Sequence, residues 1–327
     1  MDIFDRYRAR PLRHFAKAQL SRFPALYKIL LEQAHARRDR KVAPIIRRYI
    51  DNLRSVDPLP LFTEVQLETI NRCNGGCSFC PVNRFDDPRT LARMPDRLFH
   101  KIVDELGVLD YSATLYFHGN NEPLLDKRIY EFTEIARRKV PRAKLSMYTN
   151  GTALNVDRYK RLMTYLDHMV IDNYNDDLVL NPATKEIITF CEQNPKWGTG
   201  LKVAIRRETE ILDNRGSIVN NRGAFRTLTS SCVRPFNQIN IRPDGKISLC
   251  CNDSLGNMTL GDLSKQSFIE IWYGTAFEDI RQKIVRGRQN IDLCAGCDTM
   301  MCPDPEKSLH INAAAREYAG GTQQIVA

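Results

Sequence analysis

The sequence has no long hydrophobic run, which argues against a protein that spans a membrane with helices. None of its apolar stretches approaches the roughly 18 residues that a membrane-spanning helix needs. Its first ten residues are rich in charge, unlike a signal peptide. It also has no internal repeat. We therefore expect a cytoplasmic globular protein.

The composition is ordinary, but the charge is unevenly placed. The 327 residues are 43% hydrophobic and 27% charged, which allows one catalytic domain with a sizeable core and an appendage. The formal net charge is +9, and residues 1–60 alone hold 14 Lys or Arg against 6 Asp or Glu. Such a segment can contact nucleic acid, anionic lipid or an acidic partner. Solvated helices are the simpler interpretation; we expect no nucleic-acid partner, and a peripheral membrane contact stays open.

The periodicity of apolar residues predicts an α/β protein with extensions at both ends. Residues 12–55 have helical spacing with a break at Pro24, and residues 57–60 resemble a linker. Repeated strand–helix units follow, which favour a parallel sheet with helical crossovers. After residue 225 we expect a β-hairpin over 238–249 and a helix over 268–286. The predicted strands cover 62–70, 113–117, 143–149, 168–173 and 201–206, with helices over 95–106, 126–138, 155–165 and 182–194.

Ten cysteines indicate metal chemistry, because a cytosolic chain rarely keeps disulfides. Cys73, Cys77 and Cys80 lie on one short loop directly after a predicted strand. Two glycines between them let the backbone wrap closely, so the thiolates can bind three irons of a cubane. The fourth iron would stay open to a substrate or cosubstrate. The alternative, a structural zinc loop, needs a fourth ligand nearby, and the nearest histidine, His100, lies on a predicted helix.

This cysteine spacing, with Phe79 before the third cysteine, resembles the signature of the radical S-adenosylmethionine (SAM) superfamily. Residues 117–124 resemble the family's segment of two glycines and an acid, which binds the SAM amino group. Glu122 keeps the acid and Gly119 a small residue, whereas Asn121 stands where glycine is common. Residues 148–151 resemble the polar position that meets the SAM ribose. The resemblance implies SAM contacts from Phe79, Gly119, Asn120, Asn121, Glu122, Asn150 and Arg206.

The resemblance covers residues 62 to about 225 and implies a partial (β/α)6 barrel with its active site at the carboxyl ends of the strands. It also implies the chemistry. A reduced [4Fe–4S] cluster donates an electron to SAM, and the resulting 5′-deoxyadenosyl radical abstracts hydrogen from a substrate C–H. Reduced flavodoxin or ferredoxin would supply the electron. No acid–base pair is needed for that step.

A second set of cysteines lies in the C-terminal region. The predicted hairpin at Asp244-Gly245 folds the chain back, so that Cys232 and Cys250 can face one site. With Cys294-Ala-Gly-Cys297, this pattern resembles the SPASM extensions and more closely their shortened form, the twitch domain. The resemblance implies one auxiliary [4Fe–4S] cluster, with a structural zinc site as the alternative. Its ligands would be Cys232, Cys250, Cys294 and Cys297.

The sequence therefore divides into a basic helical extension (1–60), a radical SAM partial barrel (61–225), a twitch-like domain (226–317) and a flexible tail (318–327). Among the remaining thiols, Cys191 is expected in the core. Cys251 and Cys302 are candidate hydrogen donors, or spare thiols beside the cluster. Arg215, in an Asn-Arg-Gly motif seen in twitch and SPASM members, is a candidate substrate contact or a solvated charge.

Three functions follow. The first is a radical SAM oxidoreductase, a dehydrogenase or epimerase acting on a sugar or aminocyclitol carbinol. The second is modification of a ribosomal peptide or protein side chain, although residues 1–60 lack the strands of a leader-binding module. The third, an iron–sulfur or zinc protein with a nucleic-acid partner, conflicts with the SAM-binding segments.

Overall fold

The structure is a computed structural model that describes residues 23–218, 223 and 226–300. The strands are β1 (Glu64–Leu67), β2 (Thr114–Tyr116), β3 (Lys144–Thr149), β4 (His168–Tyr174), β5 (Leu201–Arg206), β6 (Gln238–Ile241), β7 (Lys246–Ser248) and β8 (Thr259–Asp262). The helices are α1 (Pro24–Arg54), α2 (Asp96–Val108), α3 (Ile129–Lys139), α4 (Val156–Met163), α5 (Pro182–Gln193), α6 (Phe268–Trp272), α7 (Thr275–Arg286) and α8 (Asp292–Ala295). Short 3₁₀ helices cover Pro123–Leu125, Pro195–Gly198, Arg234–Phe236 and Arg288–Asn290.

These strands form one sheet in the order β5-β4-β3-β2-β1-β6-β7-β8. β1 to β5 are parallel, and a helix connects each to the next, as expected for repeated βα units. Along β4 the buried residues Met169 and Ile171 alternate with Asp172 and Tyr174, which are only partly buried. Successive side chains of a strand point to opposite faces of the sheet, so the alternation shows that one face of β4 is more buried than the other. The predicted α/β class and its five strands are confirmed.

The sixth parallel strand, however, does not follow β5 in a further βα unit. It is β6, which pairs with β1 from Glu64 opposite Gln238 to Leu67 opposite Ile241. β6 continues into β7 through the predicted hairpin, where Gly245 has a φ of 85° that favours glycine. One sheet thus joins the partial barrel to the C-terminal region. The division of the chain near residue 225 stays a prediction.

The C-terminal helices are shorter than the sequence pattern predicted. The helix expected over 268–286 is divided into α6 and α7, which meet at Gly274. A Cβ at this residue would lie 2.6 Å from the Glu270 carbonyl oxygen, so the close approach of the backbone requires glycine. Ser267 and Glu270 form a capping box that fixes the start of α6. In the part of the chain that is described, no helix is long and apolar enough to cross a membrane.

α1 is a single helix that packs along the C-terminal region. It begins at Pro24, where the sequence predicted a break, because proline is tolerated in a first turn. Pro44 lies inside it, yet the helix continues, so the run of 45–53 belongs to the same element. The predicted helical residues 12–22 lie outside the described residues. The buried face of α1 consists of Asp39, Val42, Ile46, Tyr49, Ile50 and Leu53.

Asp39 joins α1 to the chain that leads into Cys232. Its carboxylate, 1% exposed, accepts hydrogen bonds from the Thr229 N–H and hydroxyl, both at 2.7 Å, and from the Ser230 N–H at 2.9 Å. Burial raises the pKa of Asp39, but these hydrogen bonds outweigh it and leave the pKa lowered. The ionised carboxylate therefore stabilises the fold at neutral pH, and this stabilisation is lost as the pH falls through the lowered pKa.

We expect Asp39→Ala to lower the free energy of unfolding by about 2–4 kcal/mol, because three donors would lose a charged acceptor. Thermal or urea unfolding of the full chain measures this. Asp279→Ala is the matched control, since its exposed pair with Lys283 should contribute less than about 1 kcal/mol. Equal losses in the two variants would contradict the role of Asp39.

Candidate active site

A cavity of about 210 Å³ opens at the carboxyl ends of β1 to β4. This is the edge at which parallel α/β sheets bind ligands. Its walls come from the cysteine loop after β1, the segment after β2 and the ends of β3 and β4, with one residue from beyond β5. The sequence-predicted residues that line it are Cys73, Cys77, Phe79, Cys80, Gly119, Asn120, Asn121, Glu122, Asn150 and Arg215.

The loop after β1 holds Cys73, Cys77 and Cys80 in tight turns. The Cys80 N–H donates to the Cys77 carbonyl over 3.0 Å, and the Arg84 N–H donates to the Gly75 carbonyl over 2.9 Å. The Gly75 N–H donates to Cys73 Sγ over 3.3 Å. A Cβ at Gly75 would lie 3.4 Å from that sulfur and 3.9 Å from Cys77 Sγ. Glycine therefore keeps the space between the thiols open.

The donor set of this loop fits an iron–sulfur cluster. Burial raises the pKa of Cys73 to about 11 and also raises that of Cys77, and the negative charge of Cys80 adds to both shifts. Thiols with raised pKa values ionise when a bound metal cation stabilises the thiolate form. Cysteine thiolates are the ligands that hold iron–sulfur clusters in proteins.

Glu122 connects the segment after β2 to the end of β3. Its carboxylate, 2% exposed, accepts hydrogen bonds from Thr149 Oγ1 and the Asn150 N–H, both at 2.7 Å, and from the Leu124 N–H at 3.1 Å. Burial raises the pKa of Glu122 to about 7, against the lowering effect of these bonds. Asn150 Nδ2 in turn donates to Asn74 in the cysteine loop over 2.8 Å. Three walls of the cavity are thereby held together.

A buried ion network beneath the cavity was not predicted from the sequence. Glu68, directly after β1, accepts a hydrogen bond from the Asn120 N–H and lies 3.5 Å from the Arg89 guanidinium. Arg89 also donates to the Asn120 carbonyl over 3.0 Å. Burial raises the pKa of Glu68 to about 7, although Arg89 lowers it. A Cβ at Gly119 would lie 2.7 Å from Glu68, so this loop needs a glycine there.

Several further residues line the cavity beside those expected. His118 Nδ1 accepts the Tyr148 N–H over 3.1 Å, and burial lowers the pKa of His118 to about 3. The imidazole is therefore neutral with its proton on Nε2, a hydrogen-bond donor. Asp172 and Tyr174 come from β4, and the Tyr174 ring lies 5.8 Å from that of Phe79. The alternating pattern of β4 was the available signal for these two, because they share one face.

Arg206, predicted to contact the SAM carboxylate, is not among the residues that line the cavity. It ends β5, and its Nε donates to Asp172 over 3.2 Å while its NH1 lies 3.7 Å from Glu210. Its guanidinium thus braces Asp172, which does line the cavity. The direct SAM contact stays a prediction.

The second set of thiols also converges. The pKa of Cys294 is raised to about 12, mainly by burial, and the charges of Cys232 and Cys297 contribute to the rise. Burial also raises the pKa of Cys250, with Cys251, Cys232 and Cys297 adding to the shift. The four predicted ligands are therefore electrostatic neighbours. Four cysteine thiolates are the ligand set of a [4Fe–4S] cluster.

Arg288 explains how distant parts of the chain meet at this second site. The guanidinium is buried, with the whole residue 2% exposed. Its Nε donates to the Ser230 carbonyl over 2.9 Å and its NH2 to the Ser231 carbonyl over 3.1 Å. Its NH1 donates to the Cys297 carbonyl over 3.2 Å. One side chain thus places the residue before Cys232 against the Cys-x-x-Cys loop.

The Asn-Arg-Gly motif lies between the two sites. Arg215 lines the cavity, and its NH2 lies 3.6 Å from Cys80 Sγ. Gly216 has a φ of 56°, and a Cβ there would lie 2.4 Å from a backbone oxygen of the C-terminal region. Ser217 Oγ accepts the Gly296 N–H over 2.9 Å within the Cys-x-x-Cys loop. The motif therefore packs on one site and presents Arg215 to the other.

The remaining thiols differ in their surroundings. Cys251 joins the two sites through its backbone, since its carbonyl accepts a hydrogen bond of 2.8 Å from Asn120 Nδ2. Its thiol is electrostatically close to Arg234 and Arg215. Cys191 is fully buried in α5, as the sequence predicted. Cys302 lies outside the described residues.

Comparisons with known proteins agree with this arrangement. A family model described as the radical SAM superfamily matches residues 67–177, and one described as an iron–sulfur cluster-binding domain (SPASM) matches residues 232–298. The S-adenosyl-L-methionine-dependent 2-deoxy-scyllo-inosamine dehydrogenase of Niallia circulans is 26% identical over 249 residues, 76% of this chain and 97% of that relative.

Two solved structures show the same fold. BtrN in complex with AdoMet and 2-DOIA has a TM-score of 0.65 and 24% sequence identity, covering 77% of this chain and 98% of its own. BtrN in an open conformation has a TM-score of 0.54 at 24% identity, covering 75% and 94% of the two chains.

The two family models together match more than half of the chain, and each covers one of the two thiol groups. The domains imply SAM and two iron–sulfur clusters, and the donor sets fit those clusters. The chain thus contains a radical SAM domain and a C-terminal SPASM domain, and it is a radical SAM enzyme.

Proposed function

We propose that this enzyme oxidises a secondary carbinol of an aminocyclitol or a sugar to a ketone. The net reaction converts the carbinol and SAM into the ketone, methionine, 5′-deoxyadenosine and one proton, which balances atoms and charge. The curated relative, named as a dehydrogenase of 2-deoxy-scyllo-inosamine, supports this substrate class.

The observation that carries the proposal is the closeness of the two thiol sites. Asn120 lines the cavity and donates to the carbonyl of Cys251, the residue next to Cys250. Arg215 lies against Cys80 on one side and is an electrostatic neighbour of Cys251 on the other. After hydrogen abstraction, the substrate radical must lose one electron to become a ketone. This requires an electron acceptor near the substrate, and a cluster at the second thiol site would lie close enough to accept it.

The residues of the chain then have distinct tasks. The first cluster would be held by Cys73, Cys77 and Cys80, and the second by Cys232, Cys250, Cys294 and Cys297. When bound, SAM and the clusters supply the radical and one-electron chemistry. Glu122 and Asn150 hold SAM, and Arg215 holds a substrate hydroxyl through its forked donors. The neutral His118 offers its Nε2–H to an oxygen in the cavity without adding charge.

Epimerisation is the second candidate, favoured by the position of Cys251. A thiol beside the cavity can return a hydrogen atom to a substrate radical, which inverts a centre without net oxidation of the substrate. The thiyl radical left behind takes up one electron from the reduced electron donor and one proton from solvent. Burial raises the pKa of Cys251, although Arg234 and Arg215 lower it, so the protonated thiol needed for this role is present at neutral pH.

We also propose a flavodoxin or ferredoxin as electron donor, in the cytoplasm. α1 exposes eight Lys or Arg side chains, a charge that suits an acidic electron carrier. Peptide modification and a peripheral membrane contact stay predictions from the sequence.

Incubation of the reconstituted, reduced enzyme with SAM and a panel of aminocyclitols in deuterated water tests the proposal. The first compound is 2-deoxy-scyllo-inosamine, followed by its stereoisomers and free sugars. Dehydrogenation removes the mass of two hydrogens and forms one 5′-deoxyadenosine per product. Epimerisation instead exchanges one hydrogen for solvent deuterium, and Cys251→Ala should abolish it.

A Cys232→Ala/Cys250→Ala variant is the matched control for dehydrogenation. It should still cleave SAM but form no ketone, because it lacks the second cluster. Ketone formation at the parent rate by this variant would overturn the proposed electron-acceptor role. Conversion of a peptide, and of no carbinol in the panel, would overturn the substrate class.

A further inference from the structure

Arg234 is a buried cation beside the second thiol site. It begins the 3₁₀ helix Arg234–Phe236, two residues after Cys232, and is 8% exposed. Its NH1 donates to Gln238 Oε1 over 3.0 Å, and the same oxygen accepts the Cys251 N–H over 3.1 Å. Gln238 Nε2 in turn donates to Glu64 over 2.9 Å. The guanidinium is thus held in a fixed position by neutral groups.

The charges around Arg234 are mainly those of cysteines. Burial alone would lower the pKa of Arg234, but Cys251, Cys250 and Cys232 act in the opposite direction and are its largest charged neighbours, ahead of Glu64. Its Nε is buried and has no hydrogen-bond partner among the described residues. A buried guanidinium with an unused donor and no carboxylate within salt-bridge distance in the described chain costs stability unless another anion compensates it.

Two other buried arginines of the same region each lack one of these two features, the cysteine neighbours or the unused donor. Arg288 uses its Nε and both terminal nitrogens on the carbonyls of Ser230, Ser231 and Cys297. Arg281 donates to the carbonyls of Pro235 and Trp272 and lies 4.2 Å over the Trp272 ring. Its NH2 is also buried without a hydrogen-bond partner among the described residues, but its charged neighbours are Glu278 and Tyr273. Of these three side chains, Arg234 alone combines cysteine neighbours with an unused donor.

We propose that Arg234 raises the reduction potential of the auxiliary cluster held by Cys232, Cys250, Cys294 and Cys297, and so equips it to accept an electron. This inference rests on the proposed function, because only an acceptor cluster needs that adjustment. A cluster with four thiolate ligands is anionic and gains a further negative charge on reduction. A fixed positive charge in a low-dielectric interior stabilises the more negative form more strongly. Net charge and hydrogen bonds to the sulfurs are the established means by which a protein sets this potential.

The test is an EPR-monitored redox titration of the full-length chain carrying Cys73→Ala/Cys77→Ala/Cys80→Ala, in which only the auxiliary cluster remains. Iron content is measured in the same samples. Arg234→Gln should reduce the equilibrium constant for reduction at least tenfold, a fall in midpoint of 59 mV or more for one electron. Arg234→Lys keeps the charge and should stay within threefold of the parent.

Arg281→Gln is the matched control, a neutralised buried arginine whose charged neighbours are Glu278 and Tyr273 rather than cysteines. Its midpoint should equal that of the parent. A shift equal to that of Arg234→Gln would reveal a general structural disturbance and overturn the proposal, as would an unchanged midpoint in Arg234→Gln.

If Arg234→Gln does not retain about four irons, Arg234→Met replaces it, since its side chain fills similar space without polar atoms. Loss of the cluster from both neutral variants, but not from Arg234→Lys, would show that the charge is needed to hold the cluster and overturn the tuning role. Failure of the parent background itself to bind the cluster would instead contradict the proposed electron acceptor.

Discussion

Replacing Glu122 with glutamine should weaken SAM binding by about 10- to 100-fold. The Glu122 carboxylate accepts hydrogen bonds from Thr149, Asn150 and Leu124. Glu122 also lines the cavity, where its negative charge is expected to bind the SAM amino group. Loss of a charge-assisted hydrogen bond costs about 1.5–3 kcal/mol. Equilibrium binding of SAM to the oxidised, cluster-loaded protein measures the effect without turnover.

Thr149→Val is the matched control for this variant. It removes one donor to Glu122 but keeps the carboxylate charge, so SAM binding should weaken only a few-fold. Equal losses in Thr149→Val and Glu122→Gln would mean that the position of the loop matters and the charge does not.

The affinity for SAM should depend on pH differently in the parent and in Glu122→Gln. Burial raises the pKa of Glu122 to about 7, so the carboxylate takes up a proton as the pH falls below that value. The parent should then lose affinity for SAM, by up to about tenfold for each further pH unit. Glu122→Gln should lack this part of the profile. Glu68, whose pKa is also raised to about 7, is present in both proteins and does not affect the difference. Superimposable profiles would contradict the role of Glu122.

Replacing Arg89 with leucine should lower the free energy of unfolding by about 3–5 kcal/mol, the usual loss when one partner of a buried ion pair is removed. Arg89 bonds Asp87 over 2.9 Å and the carbonyls of Asn71 and Asn120 over 3.0 Å each. Its loss would leave the buried Glu68 without the guanidinium that lies 3.5 Å away, and would leave Asp87 paired only with Arg72, at 3.4 Å. Because these contacts join the loop after β1 to the segment after β2, SAM binding should fall in the same variant.

Arg142→Ala is the control for Arg89. The Arg142 side chain is 58% exposed and pairs with Asp110 at the surface, so its removal should cost less than about 1 kcal/mol. Unfolding of the two cluster-loaded variants by urea gives the comparison. A loss for Arg89→Leu as small as that for Arg142→Ala would show that the network does not support the site.

Local patterns were sufficient to predict the five strands of the partial barrel and most of the cavity. Each strand from β1 to β5 carries its own apolar period, and the cysteine loop, Glu122 and Asn150 lie directly after β1, β2 and β3. Because the carboxyl ends of parallel strands share one edge, short motifs in chain order were enough to bring these residues together.

The parts that escaped prediction depend on contacts between distant segments. β6 pairs with β1 across more than 170 residues, and nothing in either short strand specifies its neighbour. In the sequence, Glu68 and Arg89 are ordinary loop charges. Only the fold brings both of them to the backbone of Asn120. The hydrogen bond from Arg206 to Asp172 on the neighbouring strand was likewise not predicted. Each of these contacts depends on how distant segments pack together, which the spacing of residues along the chain does not encode.

The measurement that tests the central claim most directly is anaerobic reconstitution with iron and sulfide quantified, followed by dithionite-driven SAM cleavage. The same assay is run on Cys73→Ala/Cys77→Ala/Cys80→Ala. A radical SAM enzyme with two [4Fe–4S] clusters should bind about eight irons per chain. The parent should form 5′-deoxyadenosine, and the triple variant should keep about half of the iron and form none. A parent that forms no 5′-deoxyadenosine with its iron complement full, or a triple variant that still forms it, would contradict the account.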